Sequence, residues 1–498
     1  MQGKELKKIK TLGGLKKSGY KSRTIGEELR SNLIERMQSG KPSFDGIVGF
    51  EDTVIPDIER AILSKHNINL LGLRGQAKTR IARSMTGLLD EYIPVIEGSD
   101  LNDDPLDPIS GESKALIAEM GDKTPVAWMH RHERFVEKLA TPDVSVADLI
   151  GDVDPIKASN MNLDYADERV IHFGLIPRSH RCIFVLNELP DLQPRIQVSL
   201  FNILQEGDVQ IRGFKLRLPL DIRFVFTANP EDYTNRGSII TPLKDRVGSQ
   251  ILTHYPREIE TARAITRQEA FVSPEQKKSI AVPELMENLI EQISFEARDS
   301  EFIDNKSGVS ARLSISGFEN VMSTAERRMI LNKEKKTTLR IGDLSGMIQS
   351  VTGKVELVYE GEQEGPYNVS IRLIGQAIRT TFPTYFPDPE SAQRSKDANP
   401  YDPIIQWFNS NELSMEIGES NKEYVDLLSS VNGLQKLVDR YIPGLEKADK
   451  PLFMEFVLHA LAEYSLISKH ILDKSFGFSD LLNSIFSADD DPEWPSAN

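Results

Sequence analysis

The stretch Ile68-Asn69-Leu70-Leu71-Gly72-Leu73-Arg74-Gly75-Gln76-Ala77-Lys78-Thr79 decides how this chain folds. Its first four residues, mostly apolar, read as a short strand. The glycine-bearing turn behind them and the helical pattern from Lys78 complete the opening unit of a phosphate-binding α/β domain. Gly72 to Thr79 follows the pattern G-x-x-x-x-G-K-[ST] with one departure. A glycine-rich turn lets backbone N–H groups converge on phosphate oxygens with no side chain in the way, and the following helix aims the positive end of its dipole at the same anion. Lys78 is expected to reach the β- and γ-phosphates of ATP, and Thr79 to coordinate Mg²⁺. Gly72, Arg74, Gly75, Gln76 and Ala77 form the rest of the cradle, with Arg74 facing either phosphate or solvent. Ala77 stands where a second glycine is usual. Alanine is comfortable only at negative φ, so a helical backbone is expected there, with a side chain small enough to admit the phosphates.

A nucleotide hydrolase needs a second strand that delivers acidic groups to the metal and to the attacking water. Ile183-Phe184-Val185-Leu186-Asn187-Glu188 has that form, four apolar residues followed by two polar ones. The expected pair is Asp-Glu, the first organising Mg²⁺ and its waters, the second polarising water. Asn187 stands in the aspartate position. It can hydrogen-bond a metal-bound water but brings no charge, so metal binding or hydrolysis is expected to be weaker. Glu188 is the candidate general base.

With these two motifs in place, others follow in order. Thr227-Ala228-Asn229-Pro230 resembles the sensor-1 motif, and Pro242-Leu243-Lys244-Asp245-Arg246-Val247 resembles P-x-L-x-D-R-F. Val309-Ser310-Ala311-Arg312-Leu313 resembles the start of a sensor-2 helix, and Gly46-Ile47-Val48-Gly49-Phe50-Glu51 an entry motif. Over roughly 45–350 the set resembles the MoxR and magnesium-chelatase ATPase-subunit branch of AAA+ proteins. The resemblance implies that Asn229 contacts the γ-phosphate and attacking water, that Arg246 projects into a neighbouring subunit's site, and that Arg312 acts from a lid. It also implies a homo-oligomer in the form of a ring and a separate partner with a von Willebrand factor A-type domain, since no D-x-S-x-S run occurs in this chain. Val209–Leu218 resembles the family hairpin ahead of sensor 1, and Ala147–Val153 with Val170–Ile176 the strands flanking its insert. Salt bridging to Asp245 is the alternative reading of Arg246, and a solvated helix end that of Arg312.

The implied fold class is α/β: a P-loop AAA+ core with a parallel sheet covered by helices, then a helical lid and a C-terminal helical extension. The expected divisions are a basic tail and helix over 1–45, the nucleotide-binding core with insertions over 46–257, a lid with a small strand element over 258–384, and the extension with an acidic tail over 385–498. Residues 1–24 read as loose, 98–140 as a polar insertion, Lys354–Tyr359 as an exposed strand, and Glu423–Tyr441 and Leu452–Ser468 as helices.

Composition narrows the function classes. The chain has 498 residues, 39% hydrophobic and 27% charged, as suits a folded, water-soluble protein. Its longest apolar runs fall far short of the roughly 20 residues of a membrane helix. A formal net charge of −15 argues against general nucleic-acid binding. The single cysteine, Cys182, excludes an internal disulfide and fits a reducing cytoplasm. His130 and His132 lie two apart and share no helical face, which argues against a metal site there. Three functions stay open: an ATP-driven remodeller of a partner protein, a nucleotide-gated scaffold with little hydrolysis, and the ATPase subunit of a magnesium chelatase.

Overall fold

The computed structural model describes residues 7–161, 168–211, 217–230, 239–394, 398–472 and 475–480. The acidic tail expected after 488 lies outside them. The chain divides into two compact units, Met1–Tyr255 and Pro256–Asn498.

The first unit begins with three helices: α1 (Leu12–Lys17), α2 (Ile25–Gln38) and α3 (Val54–Leu63). They lead into β1 (Ile68–Leu71) and α4 (Lys78–Ser84), the strand and helix read from the opening motif. Then come β2 (Tyr92–Ile96), α5 (Gly111–Met120), β3 (Val126–His130), β4 (Phe135–Leu139), β5 (Gly151–Val153), β6 (Ile171–Phe173) and β7 (Cys182–Asn187). The unit ends with β8 (Asp208–Gln210), β9 (Arg217–Pro219), β10 (Ile222–Ala228), α6 (Thr241–Arg246) and β11 (Ser249–Leu252). Five strands form the central sheet in the order β11-β1-β10-β7-β4, and every pairing is parallel. The strand containing Cys182–Asn187 is buried at every position, as a sheet covered on both faces requires. Two apolar clusters sandwich the sheet. Phe184, Leu186, Phe224 and Phe226 point into one, and Ile68, Leu70, Ile183, Val185 and Val225 into the other. This is an α/β core, a parallel sheet with helices on both faces, and a largely helical second unit follows it.

Two sequence readings change here. The stretch 98–140 is not a simple insertion: its last part is β4, the edge strand of the central sheet, in register with β7 from Phe135↔Ile183 to Leu139↔Asn187. Residues 7–24 are not loose either. Thr11 caps α1, forms an isolated bridge with Pro125, and Leu12 and Leu15 are buried. The arms of the hairpin read at Val209–Leu218 are β8 and β9, paired antiparallel. The strands read at Ala147–Val153 and Val170–Ile176 shorten to the antiparallel pair β5 and β6, with helical turns at Val146–Leu149 and Leu175–Arg178.

An ion pair buried inside this unit ties α2 to the sheet. Arg134, just ahead of β4, donates from both terminal nitrogens to the Glu28 carboxylate at 2.6 and 2.7 Å. The two side chains are only 1% and 4% exposed. Glu28 also accepts the Asp90 N–H at 2.6 Å, and the Ile25 N–H at the start of α2 donates to Asp221 at 2.7 Å. Cys182 is fully buried, and burial pushes its thiol up to about 12.

The second unit packs α7 (Glu284–Asp299), α8 (Arg312–Leu331), α9 (Pro366–Thr381) and α10 (Lys450–Glu463) around one apolar core that runs from Ile280 to Phe478. It also carries β12 (Ile280–Ala281) beside β13 (Thr337–Thr338), and a three-stranded antiparallel sheet of β14 (Leu413–Glu416), β15 (Ser468–Leu472) and β16 (Ser475–Ser479). The strand expected at Lys354–Tyr359 is absent: Leu357 forms only an isolated bridge with Ile303, and Tyr359 opens a short helix to Glu364. The helix expected over Glu423–Tyr441 is two helices, Asn421–Ser430 and Leu434–Tyr441, separated at Gly433 where φ is +85°. The helix expected to run to Ser468 stops at Glu463, and the chain enters β15. Buried charge is paired here too. Arg328 donates to Asp343 at 2.8 Å, and Glu455 accepts the N–H groups of Ile341 and Gly342 and the Tyr424 hydroxyl. No helix among the described residues is long and apolar enough to cross a membrane.

Replacing one partner of a buried ion pair strands the other. Glu28→Gln is therefore expected to cost roughly 3–5 kcal/mol of stability, because the Arg134 guanidinium stays buried without a counter-charge. Urea denaturation of the variant against the native chain measures it, and a loss below about 1 kcal/mol, the range of exposed pairs, contradicts this account of the pair.

Candidate nucleotide site

The carboxyl ends of parallel strands lie along one edge of the sheet, and open α/β sheets bind ligands there. At that edge Leu71 pairs with Ala228 and with Leu252, and Asn187 with Leu139. The loop Gly72–Ala77, the end of β7 and the end of β10 are therefore neighbours, although the sequence places the loop more than a hundred positions before either strand end.

The loop is pinned by its backbone and by side chains within and beside it. The Gly72 N–H donates to the Ala228 carbonyl at 3.1 Å. A side chain at position 72 would run into the Thr253 hydroxyl and the Gln76 amide, so only glycine fits. Gln76 is buried, and its Oε1 accepts the Thr253 hydroxyl at 2.7 Å, which ties the loop to the end of β11. Gln76 thus works as a loop strut in this geometry. The Arg74 side chain is exposed, while its carbonyl accepts the Tyr255 hydroxyl at 2.8 Å. Lys78 is buried, and its ammonium folds back on the loop, donating to the carbonyls of Gly72 and Leu73.

The backbone expected at Ala77 is not the one found. Its φ is +54° and ψ +13°, left-handed rather than right-handed helical, and Gly75, on the other side of Gln76, has φ +73°. The turn needs the conformation that a glycine adopts freely, and the alanine bears a strain of about 1–2 kcal/mol there. Glu188 is a second strained residue, with φ +55° and ψ +51° at the point where the chain leaves β7.

Between loop and strand ends lies a chain of polar contacts. The Thr227 hydroxyl donates to Asn187 Oδ1 at 3.0 Å and accepts the Glu188 N–H at 3.2 Å. The Thr79 hydroxyl stands 3.5 Å from the same Asn187 oxygen. Asn187 Nδ2 donates to Glu137 Oε1 at 2.7 Å. Arg83, one turn beyond Thr79 on α4, holds Glu137 with Nε and Nη2 at 2.9 and 3.1 Å, and those bonds keep its guanidinium above its usual range. Asn229 is buried directly after the β10 residue that receives the loop.

The structure thus gathers Gly72 to Thr79, Asn187, Glu188 and Asn229 at one sheet edge. Arg246 ends α6 and is held by its own unit: Nε and Nη2 donate to Gln205 at 3.0 and 2.8 Å, Nη1 to the Pro242 carbonyl at 2.7 Å, and the guanidinium lies over the Phe201 ring. Asp245 is not among these partners. Arg312 opens α8 in the second unit and is exposed. Glu137 and the bridging hydroxyl of Thr227 were not singled out from sequence. Glu137 sits in the run Phe135-Val136-Glu137-Lys138-Leu139, which does not alternate, and its place on the edge strand comes from the pairing with β7. The oxygen donors present, a threonine hydroxyl and an amide carbonyl with a carboxylate behind it, suit Mg²⁺, which prefers hard ligands and keeps several of its waters.

Because the left-handed turn penalises alanine, Ala77→Gly is expected to stabilise the chain by up to about 1 kcal/mol, and Ala77→Val to destabilise it by more than that. The shift of the denaturation midpoint checks both, and a loss of stability in Ala77→Gly contradicts the strained turn.

No protein-family model matches the sequence. Among solved structures the chain is similar to NtrX from Brucella abortus, at 15% identity and TM-score 0.31 over 52% of this chain and 47% of that one. It is similar to a chain in the BchI–BchD complex of magnesium chelatase, at 19% identity and TM-score 0.34 over 64% and 97%. It is also similar to the Thermotoga maritima RuvB Holliday junction branch migration motor, at 10% identity and TM-score 0.31 over 72% and 74%. The chain spans about half the length of NtrX. These likenesses are loose, and the fold rests on the strand order and the loop geometry.

Proposed function

We propose that the first unit binds Mg²⁺–ATP at the loop Gly72–Thr79 and hydrolyses it as the core of an AAA+ ATPase. The observation that carries this reading is the meeting of Lys78, Thr79, Asn187, Glu188 and Asn229 at the carboxyl edge of a parallel sheet ordered β11-β1-β10-β7-β4. Lys78 leaves the carbonyls of Gly72 and Leu73 for the β- and γ-phosphates. Thr79 and Asn187 would hold the metal, which when bound would offset charge on the phosphates. Glu188 accepts a proton from the attacking water, while Asn229 positions that water. Arg246 leaves Gln205 to reach the site of a neighbouring copy, and Arg312 acts from the lid. In this reading copies of the chain form a ring in the cytoplasm. Hydrolysis remodels or activates a partner, of the MoxR or chelatase kind, that carries a von Willebrand factor A-type domain.

A second reading, a scaffold that binds nucleotide and barely turns it over, is favoured by the uncharged Asn187 and by the hold of Arg83 on Glu137.

Steady-state ATP hydrolysis by the purified chain separates the two. Glu188→Gln is expected to lower turnover by roughly 10²–10⁴-fold with ATP binding intact. Lys78→Ala is expected to weaken ATP binding itself. A native chain that binds ATP but turns over no faster than Glu188→Gln establishes the scaffold instead. Arg246→Ala is expected to lower turnover of the assembled oligomer by about 10³-fold or more, and unchanged turnover would remove Arg246 from the mechanism.

A further inference from the structure

The substitution of asparagine for aspartate leaves the metal side of the site short of one negative charge. The side chain of Asn187 shows where that charge has gone. An amide can present either its oxygen or its nitrogen to a neighbour. A carboxylate, which only accepts hydrogen bonds, fixes the choice. With Nδ2 given to Glu137 at 2.7 Å, Asn187 has its oxygen turned towards the hydroxyls of Thr227 and Thr79, at 3.0 and 3.5 Å. Turned the other way, its oxygen would face the carboxylate. The amide thus imitates the oxygen of an aspartate, and a full negative charge sits one hydrogen bond behind it.

The strand register makes this arrangement possible. Leu139 pairs with Asn187 and Glu137 with Val185, so Glu137 and Asn187 are diagonal neighbours on one face of adjacent strands, within reach of long side chains. Arg83 and Thr79 are four apart on α4, hence on the same helical face. A closed circuit results: Thr79 to Asn187, Asn187 to Glu137, Glu137 to Arg83, and Arg83 back along the helix to Thr79. The Arg83 side chain is 64% exposed, so water screens its hold on Glu137.

We propose that Glu137 is the displaced acid of the metal site: acting through Asn187, it orients the amide oxygen and supplies the negative charge that Asn187 lacks towards a nucleotide-bound divalent cation. The inference rests on the nucleotide reading above. Glu137 is a positioning residue, and Arg83 tempers its charge.

The test uses the full-length chain, a fluorescent ADP analogue titrated in EDTA and in Mg²⁺, and Mn²⁺ binding to the ADP-loaded chain followed by electron paramagnetic resonance. Glu137→Gln keeps an acceptor for Asn187 and removes the charge, together with one of the two oxygens that accept from Arg83. It is expected to leave binding in EDTA unchanged and to weaken Mn²⁺ by about 10-fold or more, the usual cost of losing a partner behind a metal ligand. Arg83→Ala should strengthen Mn²⁺ binding, an effect of opposite sign. The double variant Glu137→Gln with Asn187→Asp, which moves the charge back across one hydrogen bond, should restore Mn²⁺ binding to within about 3-fold of native. Mn²⁺ binding unchanged in Glu137→Gln, or a double variant no better than Glu137→Gln alone, overturns this inference while leaving the nucleotide reading intact. A native chain that binds no ADP analogue overturns both.

Discussion

Parallel pairing of β1 with β10 and β11, and of β7 with β10 and β4, is the constraint from which the site follows. Parallel strands cannot be joined by tight turns, so each must be followed by a crossover, and all of them end on the same edge. Residues that leave the strands at that edge meet whatever their distance along the chain. The core on both sides of the sheet supplies the stability that lets the edge be irregular. Without the buried faces of Phe184, Phe224 and Phe226 on one side and Ile183, Val185 and Val225 on the other, the left-handed residues Ala77 and Glu188 would have nothing to hold them.

The polar groups at this edge are organised by shared partners rather than by separate pairs. Thr227 serves both Asn187 and the backbone of Glu188, and Asn187 links the loop helix to β4. Buried networks of this kind are stabilising only when each member is satisfied. The same rule governs the Glu28–Arg134 pair, which fastens α2 beside the start of β4. The N-terminal helices are therefore part of the first unit's frame, and the strand that bears Glu137 is anchored at its entrance by a residue from the first thirty.

What could be read from the sequence was what depends on local pattern. Ile68 to Thr79 announced strand, turn and helix because an apolar run meets a glycine turn and a helical period. Ile183 to Glu188 announced a buried strand with a polar end. β4 escaped because an edge strand is only half-buried, and Phe135 to Leu139 show neither an alternation nor a long apolar run. The lysines of residues 7–17 hid Leu12 and Leu15, which bury a helix too short to show a period. The left-handed backbone at Ala77 could not be read because the residue type argues against it. Glu137 could not be joined to Asn187 because their proximity depends on register between strands, which no single stretch of sequence encodes. In the second unit Gly433 marked the break between two helices, yet an isolated glycine within a helical pattern is often tolerated.

The burial of Cys182 also has a practical side. Its sulfur lies at the start of β7 against the His180 carbonyl, with no exposed surface and a thiol that hardly ionises at neutral pH. The chain has no other cysteine. To a thiol-directed dye or spin label the native surface is blank. A single cysteine introduced at an exposed position then becomes a site-specific reporter, with no need to rebuild the interior first.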